Sequence, residues 1–190
     1  DRLRPERLED VVGQAHLFSG NGIITRVLEQ RRVPSLILWG PPGCGKTTLA
    51  RLLAQHTDLG FEQMSAIFSG IADLKKVFEQ AKIRREQGRG TLLFVDEIHR
   101  FNKSQQDAFL PFVEDGTITL IGATTENPSF ELNAALLSRC QVVVLNRLDE
   151  TAIEDLLQKA EHETGCNLPL DADARLTLKA MADGDGRFAL

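Results

Sequence analysis

Ser35-Leu36-Ile37-Leu38-Trp39-Gly40-Pro41-Pro42-Gly43-Cys44-Gly45-Lys46-Thr47-Thr48 decides the fold. A short apolar run stops at a glycine, and the residues from Gly40 to Thr47 fit G-x-x-x-x-G-K-[ST]. From Lys46 to His56 the leucines Leu49, Leu52 and Leu53 recur at helical spacing. Strand, glycine-rich turn and helix in that order describe a phosphate-binding loop, in which glycines let backbone N–H groups converge on an anion at a helix N-terminus. Lys46 is placed to bring its ammonium to the β- and γ-phosphates of a nucleotide, and the Thr47 hydroxyl to ligate Mg2+. Gly40, Pro41, Pro42, Gly43, Cys44, Gly45 and Thr48 complete the cradle, in which Cys44 needs no thiol chemistry. The plain alternative is a glycine turn that caps a helix. Two glycines, a lysine and a Ser/Thr at this spacing arise by chance in roughly one chain in a hundred of this length.

The second half of such a site belongs at the end of another buried strand. Thr91-Leu92-Leu93-Phe94-Val95-Asp96-Glu97 supplies apolar residues and then two carboxylates, at the strand end where open α/β sheets bind ligands. Asp96 is the candidate Mg2+ ligand and Glu97 the candidate general base that polarises the attacking water. Alone, such a pair could equally be a solvated loop; downstream of the phosphate loop it reads as its partner.

Further out, Phe61–Ser65, Ile118–Ala123 and Gln141–Leu145 read as strands, and Ile71 to Gln87 as a helix. Continuous apolar strands alternating with helices predict an α/β fold with a parallel sheet covered on both faces. After Leu145 the composition changes to two helical patterns, Asp149–Glu163 and Asp171–Asp183, each opened by an acidic residue suited to a helix N-terminus. We therefore expect a nucleotide-binding core over residues 1–147 and a small helical lid over 148–190. The stretch Arg2–Gly22 reads as an irregular arm. The first residue is Asp1 and the last helical pattern stops at Leu190, which suggests a segment of a longer protein.

Composition narrows the classes. The 190 residues are 42% hydrophobic and 26% charged with a net charge of −5, which excludes a disordered tail or a rod and argues against a domain that mainly coats nucleic acid. No apolar run is long enough to span a membrane. Cys44, Cys140 and Cys166 form no CxxC pair, and His16, His56, His99 and His162 show no ligand spacing, so neither a disulfide frame nor a zinc site is indicated and a reducing, cytoplasmic setting is expected.

Other features read structurally. Lys75, Lys82 and Arg89 recur every seven residues, but Glu79 and Glu86 alternate with them, which describes a solvated ladder of ion pairs rather than a DNA-binding stripe. Ser104-Gln105-Gln106-Asp107 reads as a helix start that Pro111 should kink. Phe101, Phe109 and Phe112 read as core or subunit contacts, and His99 as an orienting or structural residue beside the better placed Glu97.

The runs GPPGCGKTT, LLFVDEIHRF, IGATTENPSF and LLSRC, in this order, resemble the AAA+ ATPases near their clamp-loader branch. The resemblance is closer still to the replication-associated recombination protein A family, through PSLILWGPPGCGKTTLA and DEIHRFNKSQQDAFLPFVEDGTITLIGATTENPSFELNAALLSRC, and it extends from RPERLEDVVGQ to the end of the chain. It implies ATP hydrolysis with Mg2+ in a homo-oligomer of the full-length protein. It also implies action at stalled replication forks of the bacterial nucleoid, with DNA (forked, gapped or single-strand/duplex junctions) and single-strand DNA-binding protein as partners. By the same resemblance Thr125, or its neighbour Thr124, takes a γ-phosphate-sensing position, and Arg139 is an arginine finger inserted into a neighbour's site. Arg187 becomes a nucleotide-sensing arginine of the lid, and Arg4-Pro5 and Val11-Val12-Gly13-Gln14, Val12 and Gly13 above all, belong to the segment that wraps the adenine. A clamp-loader subunit, a branch-migration motor, or a nucleotide-switched scaffold with little turnover are the alternatives.

Overall fold

Apolar runs bury both faces of a strand when helices cover the sheet from each side. The computed structural model, which describes residues 4–190, has that arrangement; Arg2 and Leu3 of the arm lie outside the described residues. The strands β1 (Leu36–Trp39), β2 (Gly60–Ser65), β3 (Thr91–Asp96), β4 (Ile118–Thr124) and β5 (Gln141–Val144) form one parallel sheet in the order β2-β3-β4-β1-β5. Successive side chains of β3 point to opposite faces. Leu92 and Phe94 join one core and Leu93 and Val95 the other, all fully buried. Helices α1 (Ala15–Phe18), α2 (Ile23–Gln30) and α3 (Lys46–His56) pack on the first side, and α4 (Ile71–Glu86) on the second. Phe78 of α4 stacks on Phe112 with ring centroids 4.2 Å apart and meets Phe109 edge-on, while Phe101 and Phe109 are buried beside it.

The strand order positions the site. β4 lies between β1 and β3, with Trp39 opposite Thr124 and Val95 opposite Gly122. The carboxyl ends of β1, β4 and β3 therefore stand side by side, and the three motif-bearing segments leave the sheet at one edge.

Several elements differ from the sequence reading. α2 was not anticipated: it is short, its buried residues are Ile23, Ile24 and Val27, and it ends on Arg31 in the left-handed conformation rather than on a glycine. β5 keeps Val142 and Val144 about half exposed, because it has a neighbour on one side only, and the His16 ring sits on the Val144 carbonyl at 2.8 Å. α5 (Lys103–Asp107) is capped by Asn102, not opened at Ser104. Asn102 Oδ1 accepts from the Gln105 N–H at 2.9 Å while Gln105 Oε1 accepts from the Asn102 N–H at 3.0 Å. Pro111 starts a separate helix, α6 (Leu110–Glu114), where its missing N–H costs nothing, instead of bending a longer one. α4 ends at Glu86, so Arg89 lies beyond it and pairs with Asp58. Of the anticipated ladder, Lys82–Glu79 forms at 2.8 Å.

After β4 come two single-turn helices, α7 (Pro128–Glu131) and α8 (Ala134–Leu137). Beyond Leu145 the chain is helical: α9 (Glu150–Thr164), α10 (Ala172–Ala182) and α11 (Gly186–Ala189) enclose a small apolar cluster of their own. Asp149 and Asp171 cap α9 and α10, each accepting a backbone N–H at 2.7 Å. Arg175 ties the two helices together. It donates to Glu154 at 2.9 Å and to both oxygens of Glu161 at 2.8 and 3.0 Å, and Lys179 adds a bond to Glu154 at 3.1 Å. The Arg175 guanidinium, with Lys179 and Gln158, pulls the Glu154 carboxyl from 4.5 down to about 2, and Arg175 lowers Glu161 as well. A depressed carboxyl stabilises the fold above its unfolded value, and that contribution disappears as pH falls through the folded value. Thermal unfolding should therefore move to lower temperature between about pH 4.5 and pH 2, with Glu154→Gln flattening that slope; an unchanged slope in the variant would show that the network adds nothing.

Candidate functional site

A cleft of about 510 Å³ opens over the carboxyl ends of β1, β3 and β4. Its floor is the loop from Pro42 to Thr48, and one wall carries Asp96, Glu97 and Thr125. The other walls come from the arm (Arg4, Pro5, Val11, Val12) and from the lid (Leu148, Leu156, Gly186, Arg187, Leu190). Gly45, the N-cap residue just before α3, has φ of 101°, and a Cβ there would meet nothing within 4 Å. Its open side leaves room for a ligand to approach the backbone. Gly43, at φ of 69°, has no such room: a Cβ would collide with Asp185, and the Gly186 N–H donates to its carbonyl at 3.1 Å. The segment at Asp185 and Gly186 thus rests directly on the loop.

Lys46 is 8% exposed, and its Nζ donates to the carbonyls of Gly40 at 2.8 Å and Pro41 at 2.7 Å. The ammonium is held by the loop's own backbone at the base of the cradle, with Gly40 and Pro41 behind the cleft lining rather than in it. The Cys44 thiol is buried beneath the loop, and that burial pushes its pKa up. Thr47 and Thr48 both face the cleft. Thr47 supplies a hydroxyl and Asp96 a carboxylate to the same space, hard oxygen donors of the kind Mg2+ takes together with nucleotide phosphates. Among the described residues no group of three or more His, Cys, Asp and Glu could hold a metal by itself. A metal here would therefore share its ligands with a bound polyphosphate.

Asp96 ends β3, and its Oδ1 accepts the Glu97 N–H at 3.1 Å. Glu97 adopts φ of 53°, a left-handed conformation that costs a non-glycine residue about 1–3 kcal/mol and turns its side chain out of the strand direction. His99 lies behind it, with Nε2 at 3.3 Å from Glu97 Oε2 and Nδ1 at 2.8 Å from Thr124 Oγ1. Of the two neighbouring threonines, Thr125 lines the cleft and Thr124 is fully buried against His99.

The remaining sequence candidates take different positions. Val12 lines the cleft, whereas Gly13 packs against α9, where a Cβ would meet Leu148 and Ala152. Arg187 lines the cleft from α11, and among the described residues its guanidinium makes no ion pair. Arg139 is elsewhere: it precedes β5 at the amino ends of the strands, in a second hollow with Arg31, Arg32 and Ser35. There Glu114 accepts from its Nε at 2.7 Å and from Nη2, and Nη1 donates to the Ala135 carbonyl at 2.7 Å.

Gln14, placed by the resemblance in the adenine-wrapping segment, does not line the cleft and instead joins three segments behind it. Its fully buried amide donates to the carbonyls of Cys44 at 3.3 Å and Asn146 at 2.8 Å and accepts the Asn146 N–H at 2.9 Å, joining arm, phosphate loop and the entry to the lid. No local pattern announces partners 132 residues apart, and a polar residue in an arm of mixed charged and apolar residues gives no signal of burial. Asp185 was missed as well: it caps α11, its Oδ1 accepting the N–H groups of Arg187 at 2.8 Å and Phe188 at 3.2 Å, and it lies against Gly43.

Comparison with known proteins accords with this geometry. Residues 36–148 match the family described as ATPase family associated with various cellular activities (AAA). Over its whole length the chain is 50% identical to replication-associated recombination protein A of Escherichia coli K12, of which it spans 43%. It is 45% identical to ATPase WRNIP1 of Dictyostelium discoideum, spanning 22% of that protein. Among solved structures, the Thermotoga maritima RuvB Holliday junction branch migration motor superposes with a TM-score of 0.79 at 26% identity, covering 100% of this chain and 63% of that one. The chain therefore corresponds to less than half of the curated relatives it matches.

Proposed function

Because the chain belongs to the AAA family of ATPases, we propose that it binds ATP with Mg2+ in the cleft between loop, arm and lid and hydrolyses it at an interface between copies of the full-length protein. The observation that carries this reading is the convergence of Lys46, Thr47, Asp96, Glu97, Thr125 and Arg187 on one cleft from four separate segments. Loop amides and Lys46 bind the β- and γ-phosphates, Thr47 and Asp96 would hold the metal, and Glu97 takes the proton of the attacking water. Bound Mg2+ would supply charge neutralisation across the β- and γ-phosphate oxygens. Thr125 holds the γ-phosphate, or the water beside it, from the end of β4. Val12 packs on the purine, with Gly13 setting the turn that seats the arm on α9. Arg187 changes partner when the γ-phosphate leaves and so transmits nucleotide state to the lid over residues 148–190.

Identity with replication-associated recombination protein A along the entire chain supports remodelling of DNA or protein–DNA complexes at stalled forks as the work done. Forked or gapped DNA and single-strand DNA-binding protein are then partners of the cytoplasmic homo-oligomer. A branch-migration motor is the second reading, favoured by the superposition on RuvB and set behind the first by the lower identity. Among the described residues no helix is long and apolar enough to cross a membrane.

Lys46→Ala tests the site itself. Removing the ammonium deletes charge-assisted bonds worth about 1.5–3 kcal/mol, so ATP affinity should fall about 10- to 100-fold in a fluorescent-nucleotide titration. Affinity unchanged in a folded variant would remove the loop from nucleotide binding.

A further inference from the structure

The geometry points to His99 as the positioning residue that holds Glu97 in its working orientation by bridging it to Thr124 at the end of β4. This deepens the proposed function and rests on Glu97 acting as the base. His99 stands behind the cleft rather than in it. Its side chain is 7% exposed, its ring is fixed at both nitrogens, and it is absent from the cleft lining that Glu97 shares.

The hydrogen-bond inventory sets the direction of the bridge. A carboxylate only accepts, so the ring nitrogen facing Glu97 carries the proton, and Nε2–H donates to Oε2. In the neutral ring Nδ1 is then an acceptor, and the Thr124 hydroxyl, which also has the Glu126 carbonyl at 3.2 Å, donates to the nearer Nδ1 at 2.8 Å. Thr124 keeps its own lone pair for the Glu126 N–H at 3.0 Å, so its hydroxyl is oriented by backbone that follows Thr125. The chain of donors runs from Thr124 through His99 to one oxygen of Glu97 and leaves the other oxygen to the water.

Such a bridge has work to do at this position. Glu97 lies in a strained left-handed conformation at the start of a short turn, where its own backbone gives the carboxylate little fixed support. Thr124 belongs to β4, whose next residue, Thr125, lines the cleft. A rigid contact from that strand places the base and the γ-phosphate contact in one frame, so a shift of β4 on nucleotide binding moves both together. His99 itself touches neither substrate nor metal.

The test uses the full-length protein. His99→Ala should lower kcat about 10- to 100-fold, the size expected when a reacting group is misplaced by roughly 1 Å, while affinity for a fluorescent ATP analogue stays within about twofold. His99→Gln, whose amide can still donate to Glu97, should recover part of that loss. On a Glu97→Gln background, His99→Ala should add no further loss in single-turnover assays, since there is no base left to position. The inference is overturned if His99→Ala leaves kcat unchanged or raises it, or if its loss multiplies with that of Glu97→Gln. It is equally overturned if both the Ala and Gln variants lose ATP affinity along with rate, which marks a structural role. Should Glu97→Gln alone keep full turnover, the assignment of the base fails instead, and the two failures are distinguished.

Discussion

Replacing Arg139 by Ala in the full-length protein should lower ATP turnover about 1000-fold while leaving ATP binding nearly intact. Topology carries the argument. The cleft that gathers Lys46, Asp96 and Glu97 lies at the carboxyl ends of the strands, and Arg139 lies at the amino ends, immediately before β5. No side-chain motion carries a guanidinium across the length of the sheet, so Arg139 reaches a γ-phosphate only in a neighbouring copy. In the single chain Glu114, the Ala135 carbonyl and the Ser138 hydroxyl hold it in one orientation. A guanidinium fixed in this way loses little conformational freedom on docking against a phosphoryl group, whose developing charge it spreads. The decisive measurement is a mixture. Arg139→Ala protein has an intact Glu97 and lacks the finger; Glu97→Gln protein has the reverse defect. Combined, they form interfaces with both groups present, and activity should rise well above that of either alone. No recovery on mixing, with oligomers formed, would place Arg139 outside the trans reaction.

Glu97→Gln should stop hydrolysis, with a loss of about 100-fold or more in kcat, while ATP affinity remains. The amide keeps the shape of the side chain and cannot take a proton from water. The left-handed backbone at Glu97 supports the assignment, because strain of this kind persists where the surrounding structure imposes a particular direction on a side chain. Asp96 Oδ1 accepts the Glu97 N–H, and the left-handed turn at Glu97 gives the two carboxylates different directions where both line the cleft. The measurement is steady-state phosphate release beside equilibrium nucleotide binding. Turnover persisting in Glu97→Gln would assign the proton transfer to another group.

Much of this was legible in the sequence, for physical reasons. Strands buried on both faces must be apolar at every position, so LILW, TLLFV and ITLIGA were visible as β1, β3 and β4 without knowledge of their neighbours. Asp149 and Asp171 announced α9 and α10 because a cap acts through a backbone N–H three residues away. The phosphate loop is likewise contiguous. What stayed hidden depends on contacts between distant segments. α2 shows buried residues but too few turns to establish a period, and the exposed valines of β5 reflect its place at the sheet edge, which composition does not encode. The capping role of Asn102 was displaced onto Ser104, since both residue types suit that position and the choice follows from how the chain leaves Phe101. Gln14 and the Thr124–His99–Glu97 bridge are tertiary pairings, and ordinary polar residues give no periodic sign of them.

One buried amide has a consequence for how the domain comes apart. Gln14 is hydrogen-bonded to residues 44 and 146, so loosening the arm removes the partner of the buried Cys44 carbonyl and the side-chain partner of both backbone groups of Asn146. Desolvated groups left without partners are costly. The segment around Gln14, the glycine-rich turn at Cys44 and the junction at Asn146 are therefore tied through a single side chain, and Gln14→Ala should loosen all three together.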